Sequence, residues 1–201
     1  MKNTIIAVVV IIIVVAIAWY GWGNKDKDDG LIEGAPVKVG VIGPMTGDAA
    51  IYGEPNANII KMAADEINAQ GGIDGHQIEL IIEDGKCSGS DAVSAAQKLI
   101  NVDKVQVIIG GLCSGESLAI VPVAEKAKVS LLSIGSSSPD LTDVSKFFVR
   151  NYPSDNTQGV VLATAAVAKG ITSIGFIQEQ TDYALGVYKA FSAEFEKTAV
   201  K

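Results

Sequence analysis

The sequence has little of what enzymes usually rely on. Among 201 residues there is one histidine, His76, and there are two cysteines, Cys87 and Cys113. His76 falls in the turn 73–77 after a glycine pair, a solvated turn position and a poor one for a general base. No group of His, Cys, Asp and Glu has the spacing of metal ligands. Neither a phosphate-binding GxxxxGK[ST] nor a strand-linked GxGxxG is present. Metal-dependent, nucleotide-hydrolysing and dinucleotide-dependent chemistries therefore lack their usual signatures, and the chain is expected to need no cofactor and to be no enzyme. Basic residues are also scarce: 16 Lys and Arg stand against 23 Asp and Glu, a net charge of −7. Phosphate binding needs clustered positive charge, so nucleic acid is excluded as a partner. The acidic balance bears on solubility. No internal repeat or low-complexity segment appears.

One long apolar run is present. Residues 4–22 carry no charge and are almost wholly apolar, just long enough to span a bilayer. Lys2 precedes the run and the polar, acidic stretch 24–29 follows it, so the rest of the chain is expected outside the cytoplasm. Trp19, Tyr20 and Trp22 suit the outer interface. Residues 1–22 read as a transmembrane anchor and 23–35 as a flexible tether. A cleaved signal peptide ending at Ala16-Ile17-Ala18 is the alternative. The anchor is favoured because the apolar run continues past Ala18. Export makes a Cys87–Cys113 disulfide the favoured state over two free buried thiols. Such a bond would contribute about 3 kcal/mol through chain entropy.

From residue 36 the hydrophobic pattern alternates between strand and helix. Strands are expected at 37–42, 77–83, 105–109, 129–134 and 147–150. Helices are expected at 55–70, with Pro55 in its first turn, then from a Ser90 cap, and at 117–126. This βαβ order predicts an α/β fold with a doubly wound parallel sheet, whose ligands bind beyond the carboxyl ends of the strands. Loops 43–53, 110–117 and 135–142 fall there. Glu83 and Asp84 read as residues that solvate the loop at Cys87. After Arg150 the chain restarts: Ser154 or Asp155 caps a helix at 156–169, a strand follows at 173–177, then a loop with Tyr183 and a helix at 185–198.

The loop Gly110-Gly111-Leu112-Cys113-Ser114-Gly115-Glu116-Ser117 is the best binding candidate. Small residues between a strand and a helix expose backbone N–H groups at the positive end of the helix dipole. That suits a carboxylate, with the Ser114 hydroxyl as a further donor. The plain alternative is that Ser114 only caps the helix.

Five segments together carry a resemblance: 37–53 (VKVGVIGPMTGDAAIYG), 64–75 (ADEINAQGGIDG), 83–87 (EDGKC), 110–114 (GGLCS) and 139–142 (PDLT). In this order and spacing the chain resembles the leucine/isoleucine/valine-binding protein family, the type I extracytoplasmic receptors of ABC-type amino-acid importers. The resemblance covers about residues 36–198. It implies two α/β lobes joined by a hinge, with 36–152 as most of lobe one and 153–201 as the opening of lobe two. It implies an amino-acid ligand, an aliphatic one by preference, and an ABC permease as partner. A ligand α-carboxylate would meet Cys113 and Ser114. Its ammonium would meet the Gly135 carbonyl and the Ser137 hydroxyl, where the family commonly has threonine. Tyr52 would wall the pocket and Tyr183 would cover it. The Cys87–Cys113 bond also matches the family. Alternatives are a sensory ectodomain of the same fold and a cytoplasmic α/β enzyme with reduced cysteines.

Overall fold

The computed structural model describes residues 34–199. The expected anchor at 1–22 and most of the tether at 23–35 lie outside the described residues. The chain divides into two units, Met1–Ala35 and Pro36–Lys201, and every element below belongs to the second. Among the described residues no helix is long and apolar enough to cross a membrane.

Five parallel strands form one sheet: β1 (Val37–Gly43), β2 (Ile78–Asp84), β3 (Val107–Gly110), β4 (Ser130–Ser133) and β5 (Phe148–Arg150). Their order is β2-β1-β3-β4-β5. The chain thus reverses its direction of travel across the sheet between β1 and β3. That is the switch point at which doubly wound sheets open a crevice. Crossovers run through helices α1 (Ala50–Ala69), α2 (Gly89–Lys98) and α3 (Ser114–Ala127). A π-helical turn, Leu99–Asp103, extends α2. A 3-10 turn, Pro139–Leu141, lies in the crossover from β4 to β5.

The core follows from the pattern of small and branched residues. Ala92, Ala95, Ala96 and Leu99 line the buried side of α2 and its π turn; Ile120, Val121 and Ala124 do so on α3. Both stripes meet Ile42, Ile108 and Leu131 of the sheet. Gly40 in β1 makes this approach possible, because a Cβ there would stand 2.8 Å from Leu99 Cδ1. Helices α4 (Asp155–Ala168) and α5 (Asp182–Ala199) lie outside the sheet and pack on each other through Ala163, Ala166 and Phe191.

The doubly wound sheet predicted from the hydrophobic pattern is present, with differences in detail. Helix α1 begins five residues before Pro55, which lies inside it. The bond lost to proline would have used the Ile51 carbonyl, and Ile51 is exposed, so water can serve that group. Ser88, rather than Ser90, caps α2, accepting from the Asp91 N–H. Helix α3 begins at Ser114, three residues earlier than its apolar stripe suggests. The expected strand at 173–177 does not form. A strand needs a neighbour's backbone groups, and no strand among the described residues pairs with this segment. Phe176 and Ile177 are correspondingly exposed.

Candidate functional site

Loops 44–49, 111–113 and 134–138 leave the carboxyl ends of β1, β3 and β4 side by side. The first is fixed by Asp84 at the end of β2. Its carboxylate accepts from the Met45 N–H at 2.8 Å, the Thr46 hydroxyl at 2.5 Å and the Lys86 N–H at 3.0 Å. Partial burial opposes ionisation, but the hydrogen bonds from Thr46, Met45 and Lys86 outweigh it and hold the carboxyl below its ordinary value. Asp84 therefore anchors two loops, where the sequence suggested a solvating residue.

The second loop enters α3 through Gly111, Leu112 and Cys113. Cys87 and Cys113 form a disulfide. Cys113 is the cap of α3 and Ser114 its first residue. The Ser114 side chain is buried, and its oxygen accepts from the Ser138 N–H at 3.2 Å. The hydroxyl proton is thereby left to donate. Among the described residues none accepts from the backbone N–H of Ser114 or Gly115, the first two of α3. Hydroxyls of Ser117, Ser133 and Ser136 surround the Gly111 carbonyl at 3.1, 2.8 and 3.0 Å.

The third loop carries Gly135 and Ser137. A Cβ at Gly135 would stand 2.5 Å from Leu112 Cδ1 and 3.0 Å from the Leu112 carbonyl oxygen, so glycine lets the two loops touch. Ser137 is buried and its hydroxyl donates to Asp155 Oδ2 at 2.5 Å. Asp155 returns a bond from its own N–H to the Ser137 carbonyl at 2.9 Å. The Ser137 oxygen therefore keeps its lone pairs for accepting. Arg150, at the end of β5, straps this loop by donating to the carbonyls of Ser136 and Ser138 at 3.3 and 2.8 Å.

Tyr183, in the first turn of α5, joins Tyr152, Ser154, Asp155 and Leu162 around a cavity of about 420 Å³. Burial raises the Tyr183 phenol above its ordinary value, and the negative charge of Asp155 adds to this, so it stays a neutral donor. The start of α5 covers the serine loops. A Cβ at Gly115 would stand 2.7 Å from Asp182 Oδ2, and one at Gly186 2.8 Å from Pro139.

Of the six candidate ligand residues, Tyr183 lines this cavity, whereas Cys113, Ser114, Gly135 and Ser137 lie in the neighbouring loops, with Ser114 and Ser137 buried and Ser137 joined to the cavity through Asp155. Tyr52 is 66% exposed on α1, and no hydrogen bond or ring contact of its side chain ties it to them among the described residues. His76 serves the turn it sits in, exchanging backbone bonds with Ile73 at 2.8 and 2.9 Å. No group of acidic, His and Cys side chains among the described residues could hold a metal ion.

Two residues of this region escaped the sequence reading. Ser154 and Asp155 are the two cap candidates by sequence; Ser154 caps α4, and Asp155 turns to Ser137. Glu116 is fully buried and accepts from the Cys87 and Cys113 N–H groups, each at 3.0 Å. Its position three residues after the cap was a usable signal, since glutamate there reaches back to the cap N–H. Burial raises its carboxyl above the ordinary value against the pull of these bonds.

The family described as periplasmic binding protein matches residues 36–201. The chain belongs to this family. An amino acid binding protein of Pseudomonas aeruginosa is 33% identical over 170 residues, 83% of this chain and 45% of that protein. Among solved structures, the branched-chain amino acid transporter substrate binding protein LivJ from Streptococcus pneumoniae, in complex with isoleucine, is 31% identical with a TM-score of 0.72. That match covers 80% of this chain and 47% of LivJ. A solute binding protein of an ABC transporter from Rhodopseudomonas palustris, in complex with 3,4-dihydroxy benzoic acid, is 28% identical with a TM-score of 0.71. There the shares are 82% and 45%. The chain thus spans about half the length of the relatives it matches.

Proposed function

We propose that this chain carries the first lobe, 36–152, and the opening of the second, 153–201, of an extracytoplasmic receptor for an ABC importer. Its ligand is a free amino acid with an aliphatic side chain. One observation carries the reading: the two buried serines have opposite polarity. Ser114 accepts from Ser138 and has its proton to give; Ser137 gives its proton to Asp155 and has lone pairs to offer. The first suits a carboxylate, beside the N–H groups that open α3. The second suits an ammonium, with the Asp155 charge behind it and the Gly135 carbonyl next to it. That pairing matches a zwitterion. Tyr183 closes over the ligand and Tyr52 walls it once the lobes shut. Binding favours the closed form, and only that form engages the permease productively. Residues 1–22 hold the receptor at the membrane and 23–35 tether it.

A second reading is an aromatic acid, because the Rhodopseudomonas palustris protein was solved with one. It requires a carboxylate subsite and no ammonium subsite. Calorimetry on the intact protein separates the two with three probes: L-leucine, isocaproate (leucine without its ammonium) and para-hydroxybenzoate. L-Leucine is expected to bind and isocaproate to bind at least about tenfold more weakly, the effect of one lost charge-assisted contact. Equal binding of L-leucine and isocaproate, or binding of the benzoate alone, would overturn the amino-acid reading.

A further inference from the structure

The junction between Cys87 and Cys113 is held twice. The disulfide joins their side chains. One carboxylate joins their backbones: Glu116 Oε1 accepts from Cys87 N–H and Oε2 from Cys113 N–H, both at 3.0 Å. Glu116 is fully shielded from solvent, whereas Cys87 is an exposed residue. Two glycines make room for the carboxylate. A Cβ at Gly85 would stand 2.2 Å from Oε1, and one at Gly111 2.5 Å from the Glu116 Cβ.

The segment that Glu116 grips needs holding. Lys86 and Cys87 have φ of 51° and 56°, two successive non-glycine residues in the left-handed region. Such a conformation persists only where the surroundings over-determine it. Lys86 N–H has Asp84 as acceptor at 3.0 Å, and Cys87 N–H has Glu116. On the other side the same carboxylate holds Cys113, the residue that caps α3 and directly precedes Ser114. A carboxylate accepting two backbone N–H groups makes charge-assisted bonds, stronger than neutral ones.

We infer that Glu116 is a non-covalent cross-link parallel to the disulfide, a positioning residue that keeps the Ser114 loop in place when the disulfide is open. Its effect on ligand rests on the proposed role of Ser114; its effect on the loop does not. Either link alone suffices, and losing both releases the turn at 86–87 together with the start of α3.

The test uses hydrogen–deuterium exchange on the intact protein, oxidised and reduced, as wild type and Glu116→Gln. Glutamine keeps the size but presents a donor to one of the two N–H groups. Segments 85–88 and 110–117 are followed without ligand. Reduced wild type and oxidised Glu116→Gln are each expected to keep protection within about threefold of oxidised wild type; reduced Glu116→Gln should lose roughly tenfold or more. Gly85→Ala keeps the carboxylate and both cysteines but drives a methyl onto Oε1, and should show the same loss only when reduced. Two results would overturn the inference. One is reduced wild type exchanging as fast as reduced Glu116→Gln. The other is reduced Glu116→Gln staying as protected as reduced wild type. L-Leucine affinity, read by calorimetry on the same samples, should fall only where protection falls. If the exchange pattern holds and no sample binds L-leucine, the ligand reading fails and the cross-link stands.

Discussion

Replacing Ser114 by alanine tests the site most directly, because its hydroxyl has two duties that separate in measurement. Its oxygen accepts from the Ser138 N–H at 3.2 Å in a buried setting. Alanine leaves that N–H without an acceptor, and an unpaired buried donor costs about 1–3 kcal/mol of stability. In the proposed site its proton is the donor offered to the ligand carboxylate. Hydrogen bonds to charged groups contribute about 1.5–3 kcal/mol, so Kd should rise roughly tenfold to a hundredfold. The backbone N–H groups of Ser114 and Gly115 survive the change, so binding weakens without vanishing. Calorimetry on the intact Ser114→Ala protein reads the affinity, and urea denaturation without ligand reads the stability. A stability loss with Kd within about twofold of wild type would refute the carboxylate role and leave Ser114 as a brace between two loops.

Two other outcomes follow from the packing and the charges. Leu131 is fully buried on β4 against the α2 and α3 stripes, so Leu131→Ala should lower unfolding free energy by about 2–5 kcal/mol in urea denaturation. Asp84 is held below its ordinary value of 3.8, so its stabilising effect is complete above that pH and is lost as pH falls through the lower folded value. Asp84→Asn should therefore flatten the acid limb of a stability–pH curve below about pH 4, and an unchanged limb would remove Asp84 as its source.

The βαβ order was legible because its signal is local. Val37, Val39 and Val41 alternate with smaller or polar residues, and the apolar stripe of α2 recurs at helical spacing. Helix starts were less legible because caps compete: Ser88 and Ser90 are both good caps by composition, and α2 uses Ser88. At 173–177 the failure has a different origin. Ser173-Ile174-Gly175-Phe176-Ile177 has strand character, but strand formation depends on a partner elsewhere in space. Tyr183 and Ser137 could be named from a family resemblance, yet Asp155, which connects them, could not. Its neighbour Ser154 satisfied the local rule for a helix cap and left no reason to look further.

The same distinction between local and non-local information explains the site's chemistry. A serine hydroxyl is both donor and acceptor, and its sequence neighbours do not decide which role faces a ligand. At Ser114 the decision comes from Ser138, 24 residues away; at Ser137 it comes from Asp155, 18 residues away. Both partners are held by other elements, Ser138 through the Arg150 strap at the end of β5 and Asp155 by its place at the start of α4. Two chemically identical side chains are thus turned into a donor and an acceptor by the fold around them. Exchanging serine for threonine at Ser137 would keep that polarity, because the added methyl changes neither the proton given to Asp155 nor the lone pairs left over. Exchanging Asp155 for a residue that donates would reverse it, presenting a proton where the proposed ammonium would need an acceptor. On the proposed reading, selectivity for a zwitterion would reside in the partners of the serines as much as in the serines themselves.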